Sequence, residues 1–278
     1  MKIHAIQTGT VIVKQRQMQG KGHGTQRLLN TMFDKEWSEP LPIYAWVIEH
    51  PEGVLVVDTG ETARTAEPGY FPWWHPYYHL AVRVQVAPED EIGPQLRALG
   101  IGPEDVRWVV LTHMHTDHAG GLPHFPKSEI LVTRSEYEAA KGIKGQARGY
   151  LPQHWPLWFR PTLLTFEPVP FGPFSASHTL TKAGDITLIS TAGHAPGHMS
   201  VILQEGEQSI FFAGDPSYNQ RLMLAEALDG VAADEQAARA TLRAIHTFVQ
   251  QTPTVYLPSH DPDSARRLSE RETVAQGE

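Results

Sequence analysis

The chain has 278 residues, and its 23 Lys and Arg against 31 Asp and Glu give a formal net charge of −8 with His neutral. This acidic balance excludes a dedicated nucleic-acid binder, because affinity for phosphate needs clustered basic residues. There is no cysteine, which excludes disulfides, thiolate nucleophiles and cysteine-ligated metals. No apolar run reaches the roughly 18 residues of a membrane span, and the N-terminus lacks the apolar segment of a signal peptide. We therefore expect a cytoplasmic protein with no membrane partner.

Strands and helices are predicted along the whole chain. The apolar run at 106–111 is typical of a buried strand. Acidic residues followed by helical spacing over 92–99 predict a short helix, and the apolar period over 234–250 predicts a longer amphipathic one. Strands mixed with helices, without a tandem repeat, predict an α/β layered fold. Further strands are expected at 43–49, 54–57, 130–133, 186–190, 200–203, 209–213 and 254–257, and a further helix at 135–140.

Two segments lack a regular pattern. Residues 14–40 are polar with little periodicity, and we interpret them as a long loop or arm. Residues 61–88 contain prolines at a density that excludes a continuous helix. Because no linker is evident, we expect a single domain over 1–278 with long loops at about 14–40 and 61–88. The second loop holds an aromatic cluster of Tyr70, Phe71, Trp73, Trp74, Tyr77 and Tyr78.

The strongest chemical signal is a group of four possible metal ligands directly after the predicted strand at 106–111: His113, His115, Asp117 and His118. Imidazole and carboxylate are ligands of divalent cations such as zinc. Residues two apart in an extended segment point the same way, so two of these imidazoles can bind one ion. The alternative is a surface loop that contains histidine by chance. Chance readily explains a single histidine, but it does not readily explain four possible ligands at this spacing after a strand.

This motif, followed by Ala-Gly-Gly, resembles the signature of the metallo-β-lactamase fold superfamily. The resemblance implies a four-layer αββα sandwich with two metal ions at one edge. Four further motifs occur in the superfamily's order and, with the first, span most of the chain. The first lies at 56–60 and contains Asp58, which is not a ligand in the superfamily. The other three lie at 191–198 with His194, at 212–215 with Asp215, and at 258–261 with His260.

The resemblance also implies which residues share an ion. His113, His115 and His194 would bind one ion, Asp117, His118 and His260 the other, and Asp215 would bridge them. His198 is expected either to support the metal ligands or to be structural, and the histidines outside the motifs are expected to be structural. Zinc is the favoured metal, although Fe, Mn and Co suit the same nitrogen and oxygen ligands. Two such ions lower the pKa of a shared water towards ~7 and polarise a carbonyl or phosphoryl oxygen, which predicts hydrolysis.

The segment that follows Asp215 indicates a substrate class. Asp-Pro-Ser-Tyr at 215–218 resembles a segment of the N-acyl-homoserine lactonase family, as do 41–46 and 134–140. The resemblance implies a small-molecule lactone with an acyl chain, whose carbonyl accepts a hydrogen bond from Tyr218 in an oxyanion-hole role. A metal-bridging hydroxide would open the lactone ring, and Asp117 or Asp215 would handle the proton. The predicted activity is quorum quenching.

Three alternatives stay open. One is a hydrolase of another lactone, ester or organophosphate. Another is a glyoxalase-II-like thioester hydrolase, for which Arg266 and Arg267 are the candidates to hold glutathione. The third is a non-catalytic metal-binding module. The aromatic cluster within 61–88 lines an acyl-chain site, fixes long loops onto the body of the protein, or packs across a homodimer interface, where aromatic residues are enriched.

Overall fold

The computed structural model describes residues 1–275, which form two compact units. Unit 1 comprises Met1–Lys14 and Met32–Leu164, and unit 2 comprises Gln15–Thr31 and the described residues from Thr165 onward. Each unit contains one β-sheet with helices, which confirms the predicted α/β class. The single domain expected over 1–278 stays a prediction.

Twelve strands and ten α-helices lie in the part of the chain that the structure describes. The strands are β1 (Lys2–Val13), β2 (Leu41–His50), β3 (Gly53–Val57), β4 (Val82–Gln85), β5 (Val106–Val110), β6 (Glu129–Thr133), β7 (Thr162–Leu164), β8 (Ser177–Thr179), β9 (Ile186–Ser190), β10 (Met199–Glu205), β11 (Gln208–Gly214) and β12 (Thr254–Pro258). The helices are α1 (Gln15–Met18), α2 (Gly24–Met32), α3 (Pro76–Leu80), α4 (Ile92–Ala98), α5 (Thr116–Ala119), α6 (Arg134–Ala140), α7 (Gly142–Gln146), α8 (Gln220–Leu224), α9 (Glu235–Gln251) and α10 (Ser264–Glu270).

Unit 1 contains a seven-stranded sheet in the order β4-β1-β2-β3-β5-β6-β7. The pairs from β4 to β3 are antiparallel, and those from β3 to β7 are parallel. Ile92 and Leu96 of α4 are fully buried in the same cluster as Val56 of β3 and Val109 of β5. Burial of each such side chain contributes about 1.5–3 kcal/mol. This packing fixes β3 and β5, the two strands that lead into the first motifs.

Unit 2 contains a five-stranded sheet in the order β12-β11-β10-β9-β8. Only β11 and β12 pair in parallel, so their carboxyl ends lie at the same edge of the sheet. The helix predicted over 234–250 is α9, and the Asp234 side chain caps it by accepting a hydrogen bond from the backbone of Ala237 at 3.0 Å. Leu242 and Ile245 of α9 pack in one cluster with Phe211 of β11.

The two segments expected to be long loops contain regular structure. Residues 14–40 include α1 and α2, and residues 61–88 include α3 and β4. These elements are too short for a hydrophobic period to be read from them, and isolated helices of this length are unstable without tertiary contacts. Among the described residues, no helix is long and apolar enough to cross a membrane.

Candidate metal centre

Unit 1 carries four of the predicted ligands between β5 and the end of α5. β5 ends at Val110, and His115, with φ −62° and ψ 156°, is the extended residue that precedes α5. Asp117 and His118 lie on α5 itself. The change from extended to helical backbone therefore separates the His113–His115 pair from the Asp117–His118 pair.

His118 is fully buried, and Asp58 fixes its ring. His118 Nδ1 donates to Asp58 Oδ2 at 2.8 Å, and Asp58 Oδ1 accepts from the backbone N–H of Thr112 at 2.7 Å. Burial raises the pKa of the Asp58 carboxyl, and the neighbouring His118 opposes that rise. Because His118 Nδ1 carries the hydrogen, its Nε2 presents a lone pair, which is the form in which histidine binds a metal.

His113 is oriented in the same way. The Thr112 hydroxyl donates to Asp58 Oδ2 at 2.8 Å and lies 3.1 Å from His113 Nδ1, so His113 Nδ1 donates to that hydroxyl oxygen. His113 Nε2 then presents a lone pair and lies 2.9 Å from His115 Nδ1, with the two rings at 85°. Two imidazole nitrogens this close suit one shared cation.

Glu61 supports the ligand segment and was not identified from the sequence. It is fully buried, accepts from the Thr116 hydroxyl at 2.7 Å and accepts from the backbone N–H of Thr62 at 2.9 Å. Burial, with a smaller contribution from the nearby Asp117, raises the pKa of Glu61 to about 8. Its position three residues after Asp58 is the signal that could have indicated it.

Unit 2 carries the other three predicted ligands. Asp215 directly follows β11, and His260 follows the neighbouring parallel strand β12, so the sheet edge brings both side chains together. Asp215 Oδ2 lies 3.3 Å from His260 Nε2 and 3.8 Å from His194 Nε2. All three residues are buried. A carboxylate between two imidazoles is a donor set that suits zinc and similar cations.

The loop that carries His194 depends on close backbone packing. Gly193 has a φ of +144°, and a Cβ there would overlap the backbone of Ala238 in α9. His194 Nδ1 donates to Asp229 Oδ2 at 3.3 Å, so His194 Nε2 presents its lone pair. Carboxylates in this position orient metal-binding histidines and raise their basicity. Asp229 lies outside the sequence motifs and was not identified from them.

Both ring nitrogens of His198 make hydrogen bonds within unit 2. The backbone N–H of Asp215 donates to His198 Nε2 at 3.0 Å, and His198 Nδ1 lies 2.8 Å from the Thr191 hydroxyl. Its Nε2 lone pair is thus used to hold Asp215 in place. This geometry agrees with the supporting or structural role expected for His198.

Tyr218 lies three residues after Asp215, before α8, and is buried. Its ring stacks on the ring of His260 with centroids 5.6 Å apart and planes at 27°. Its hydroxyl oxygen accepts a hydrogen bond from Gln17 Nε2 at 2.8 Å. Gln17 belongs to α1, in the segment interpreted as a loop, and no sequence pattern indicates this contact.

The aromatic cluster of unit 1 divides into buried and exposed members. Tyr70 and Tyr78 are buried and pack in one cluster with Leu151. Trp74 is 39% exposed and Trp73 is 87% exposed. Part of the cluster therefore fixes loops within unit 1, while the two tryptophans present apolar surface.

The described residues include seven side chains that could serve as metal ligands: His113, His115, Asp117 and His118 in unit 1, and His194, Asp215 and His260 in unit 2. The donors are nitrogen and oxygen atoms throughout, and three of the imidazoles present Nε2 lone pairs. This donor set fits divalent cations such as zinc.

Comparison with known proteins identifies relatives along nearly the whole chain. A family model described as the metallo-beta-lactamase superfamily matches residues 38–260. The N-acyl homoserine lactonase AttM of Rhizobium radiobacter is 26% identical over 270 residues, which cover 95% of this chain and 94% of the relative. The N-acyl homoserine lactonase AiiA of Bacillus thuringiensis subsp. kurstaki is 27% identical over 224 residues, covering 80% and 82%.

Solved structures share the fold. A structure of an N-acyl homoserine lactone hydrolase with the product N-hexanoyl-L-homoserine at its catalytic metal centre has a TM-score of 0.77 and 20% identity, and covers 98% of each chain. A B. thuringiensis AiiA mutant with N-decanoyl-L-homoserine bound has a TM-score of 0.77 and 21% identity, and also covers 98% of each chain. At these identities the likeness establishes the fold.

Proposed function

Because the chain belongs to the metallo-β-lactamase superfamily, we propose that it is a metal-dependent hydrolase that opens the lactone ring of N-acyl-homoserine lactones. The observation that carries this proposal is Tyr218, a buried phenol three residues after Asp215 whose ring stacks on His260. Relatives named N-acyl homoserine lactonase, aligned over up to 95% of the chain, support the substrate class.

The proposed ligands are the seven residues named from the sequence. His113, His115 and His194 would hold one ion, Asp117, His118 and His260 the other, and Asp215 would bridge them. Asp58 and Asp229 support this assignment, since each accepts a hydrogen bond from the Nδ1 of a proposed ligand. The donor chemistry supports zinc. When bound, the ions would supply Lewis-acid activation and a hydroxide nucleophile at neutral pH.

Tyr218 is the proposed hydrogen-bond donor to the lactone carbonyl. Its hydroxyl would bind the substrate oxygen and stabilise the negative charge that develops there during attack. His260 limits the ring's movement by stacking on it, so the donor is held before the substrate arrives. Positioning of this kind avoids reorganisation during the reaction.

Asp117 is the proposed proton carrier. Its side chain is 20% exposed, whereas that of Asp215 is 6% exposed and lies against two histidines. Asp117 can therefore exchange a proton with solvent more readily than Asp215. In this role it would return a proton to the leaving ring oxygen, which becomes the free hydroxyl of the product.

A substrate panel tests the proposed function. The metal-loaded protein would be assayed with a pH indicator on homoserine lactones of short, medium and long acyl chain, and in parallel on an aryl ester, a glutathione thioester and a phosphotriester. We expect rapid acid release from the homoserine lactones that is lost after chelation. Faster turnover of the ester, thioester or phosphotriester would assign the chain to one of the alternative hydrolases.

Three further expectations belong to the proposal and have their own tests. Metal analysis of the purified protein would identify zinc, iron, manganese or cobalt. Light scattering would distinguish a monomer from a homodimer, and fractionation of the producing cells would test the cytoplasmic location.

A further inference from the structure

We propose that Gln17 is a positioning residue that orients the Tyr218 hydroxyl for hydrogen-bond donation to the substrate. The inference rests on the proposed role of Tyr218, and it adds a residue outside all the recognised motifs. The contact between Gln17 Nε2 and the Tyr218 hydroxyl is 2.8 Å long, and both residues are buried.

The direction of this hydrogen bond matters. The amide N–H of Gln17 donates, so the phenol oxygen of Tyr218 accepts and its own hydrogen is not used in this contact. A bond donated to the phenol oxygen also polarises the O–H group and makes it a stronger donor. Gln17 therefore both directs the phenol and strengthens the bond that it can donate to a carbonyl.

Gln17 can hold this position because its helix is attached to the 228–232 segment of the same unit. The backbone N–H of Gly230 donates to the Gln17 carbonyl at 2.8 Å, and that of Gly20 donates to the Leu228 carbonyl at 2.8 Å. Buried Arg27 of α2 donates to the Asp229 carbonyl at 3.0 Å and to the Ala232 carbonyl at 2.6 Å. The amide is thus anchored through its own backbone and through α2.

The same attachment reaches a proposed metal ligand. Arg27 donates to the backbone carbonyl of Asp229, and the side-chain carboxylate of the same residue accepts a hydrogen bond from His194 Nδ1. One short segment therefore steadies both the Tyr218 donor and the ring of His194. This explains why a polar stretch with little periodicity has a fixed structure.

The test is a double-mutant cycle in the metal-loaded protein. Gln17→Leu removes the donor and should lower kcat for lactone opening by about two- to tenfold, with KM close to that of the wild type. In a Tyr218→Phe background the same change should leave kcat unaltered, because no hydroxyl remains to be oriented. The matched control is Gln26→Leu, an exposed glutamine on α2, which should leave kcat unchanged. An equal loss from Gln17→Leu in both backgrounds would overturn the proposal.

A second measurement does not depend on turnover. A fluorinated tyrosine at position 218 would be observed by fluorine NMR at one fixed pH. Gln17→Leu should shift its resonance, because the amide no longer polarises the phenol. Gln26→Leu should leave the resonance unchanged. An unchanged resonance in Gln17→Leu would refute the contact. If the wild type does not open lactones, the proposed function is refuted, whereas the contact between Gln17 and Tyr218 is still tested by the NMR measurement.

Discussion

Asp58 holds His118 through a 2.8 Å hydrogen bond between two fully buried side chains that lie 60 positions apart. Asp58 has a φ of 61°, a backbone conformation that is uncommon for a residue with a side chain. Its backbone N–H donates to the carbonyl of Val110 at the end of β5 at 2.9 Å. Strain of this kind persists at functional sites, where the surrounding structure over-determines it. Asp58 thereby fixes the tautomer and the direction of a proposed ligand.

Asp58→Asn is predicted to weaken metal binding. The amide is a poorer acceptor for His118 Nδ1–H, so the ring becomes less basic and less fixed, and affinity should fall by about 10–100-fold. Competition with a chromogenic chelator measures this. Asp234→Asn serves as the control, because asparagine caps α9 as well as aspartate does. Equal affinities of Asp58→Asn and the wild type would show that His118 needs no such support.

Tyr218→Phe is predicted to lower kcat by about 10²–10³-fold, the usual effect of removing one oxyanion-hole donor. The phenyl ring retains the stacking on His260, so stability and metal content should stay close to those of the wild type. Steady-state kinetics with metal analysis of the same preparation would check both. Full activity in Tyr218→Phe would assign the tyrosine a packing role.

Trp74→Ala is predicted to affect long-chain lactones more than short-chain ones. An acyl tail gains affinity from each methylene group that it buries, so loss of a large apolar side chain should raise KM most for the longest tail. Trp73→Ala is the matched control, since Trp73 is 87% exposed and Trp74 only 39%. The same loss for all chain lengths would remove Trp74 from the acyl-chain site and favour a role in loop or dimer packing.

Glu61 is predicted to make stability depend on pH. Burial raises its pKa to about 8 from an ordinary value of 4.5, so the folded state binds the proton more tightly than the unfolded state. Protonated Glu61 therefore contributes its full stabilisation at pH values below its ordinary pKa of 4.5, and this stabilisation is lost as the pH rises through about 8. Urea unfolding of metal-free wild type and Glu61→Gln at a series of pH values measures this. As the pH rises from 4.5 to about 8, the wild type should lose stability relative to Glu61→Gln. A difference in free energy of unfolding that stays constant with pH would refute the prediction.

The sequence predicted the elements that carry their own periodic pattern. The helix expected over 234–250 is α9, and the strand expected over 106–111 is β5, since both have apolar residues at the spacing of a buried face. α1, with four residues, has no such period. Its position depends on hydrogen bonds to residues far along the chain, such as that between Gly230 and Gln17. No local pattern specifies such contacts.

The same distinction holds for the site. His113 and Asp215 lie in short motifs with fixed spacing and could be named from the sequence. Their supporting residues could not, because the contacts arise only on folding. Gln17 is 201 positions from Tyr218, and Asp229 is 35 positions from His194.

The most direct test of the central claim is the position of the oxygen that hydrolysis adds. The metal-loaded protein would open N-hexanoyl-homoserine lactone in heavy-oxygen water, and mass spectrometry would locate the label in the product. Attack on the carbonyl carbon predicts one labelled oxygen in the new carboxylate, an unlabelled hydroxyl, and no product after chelation. Label in the hydroxyl, or product formation that survives chelation, would contradict a metal-dependent lactonase.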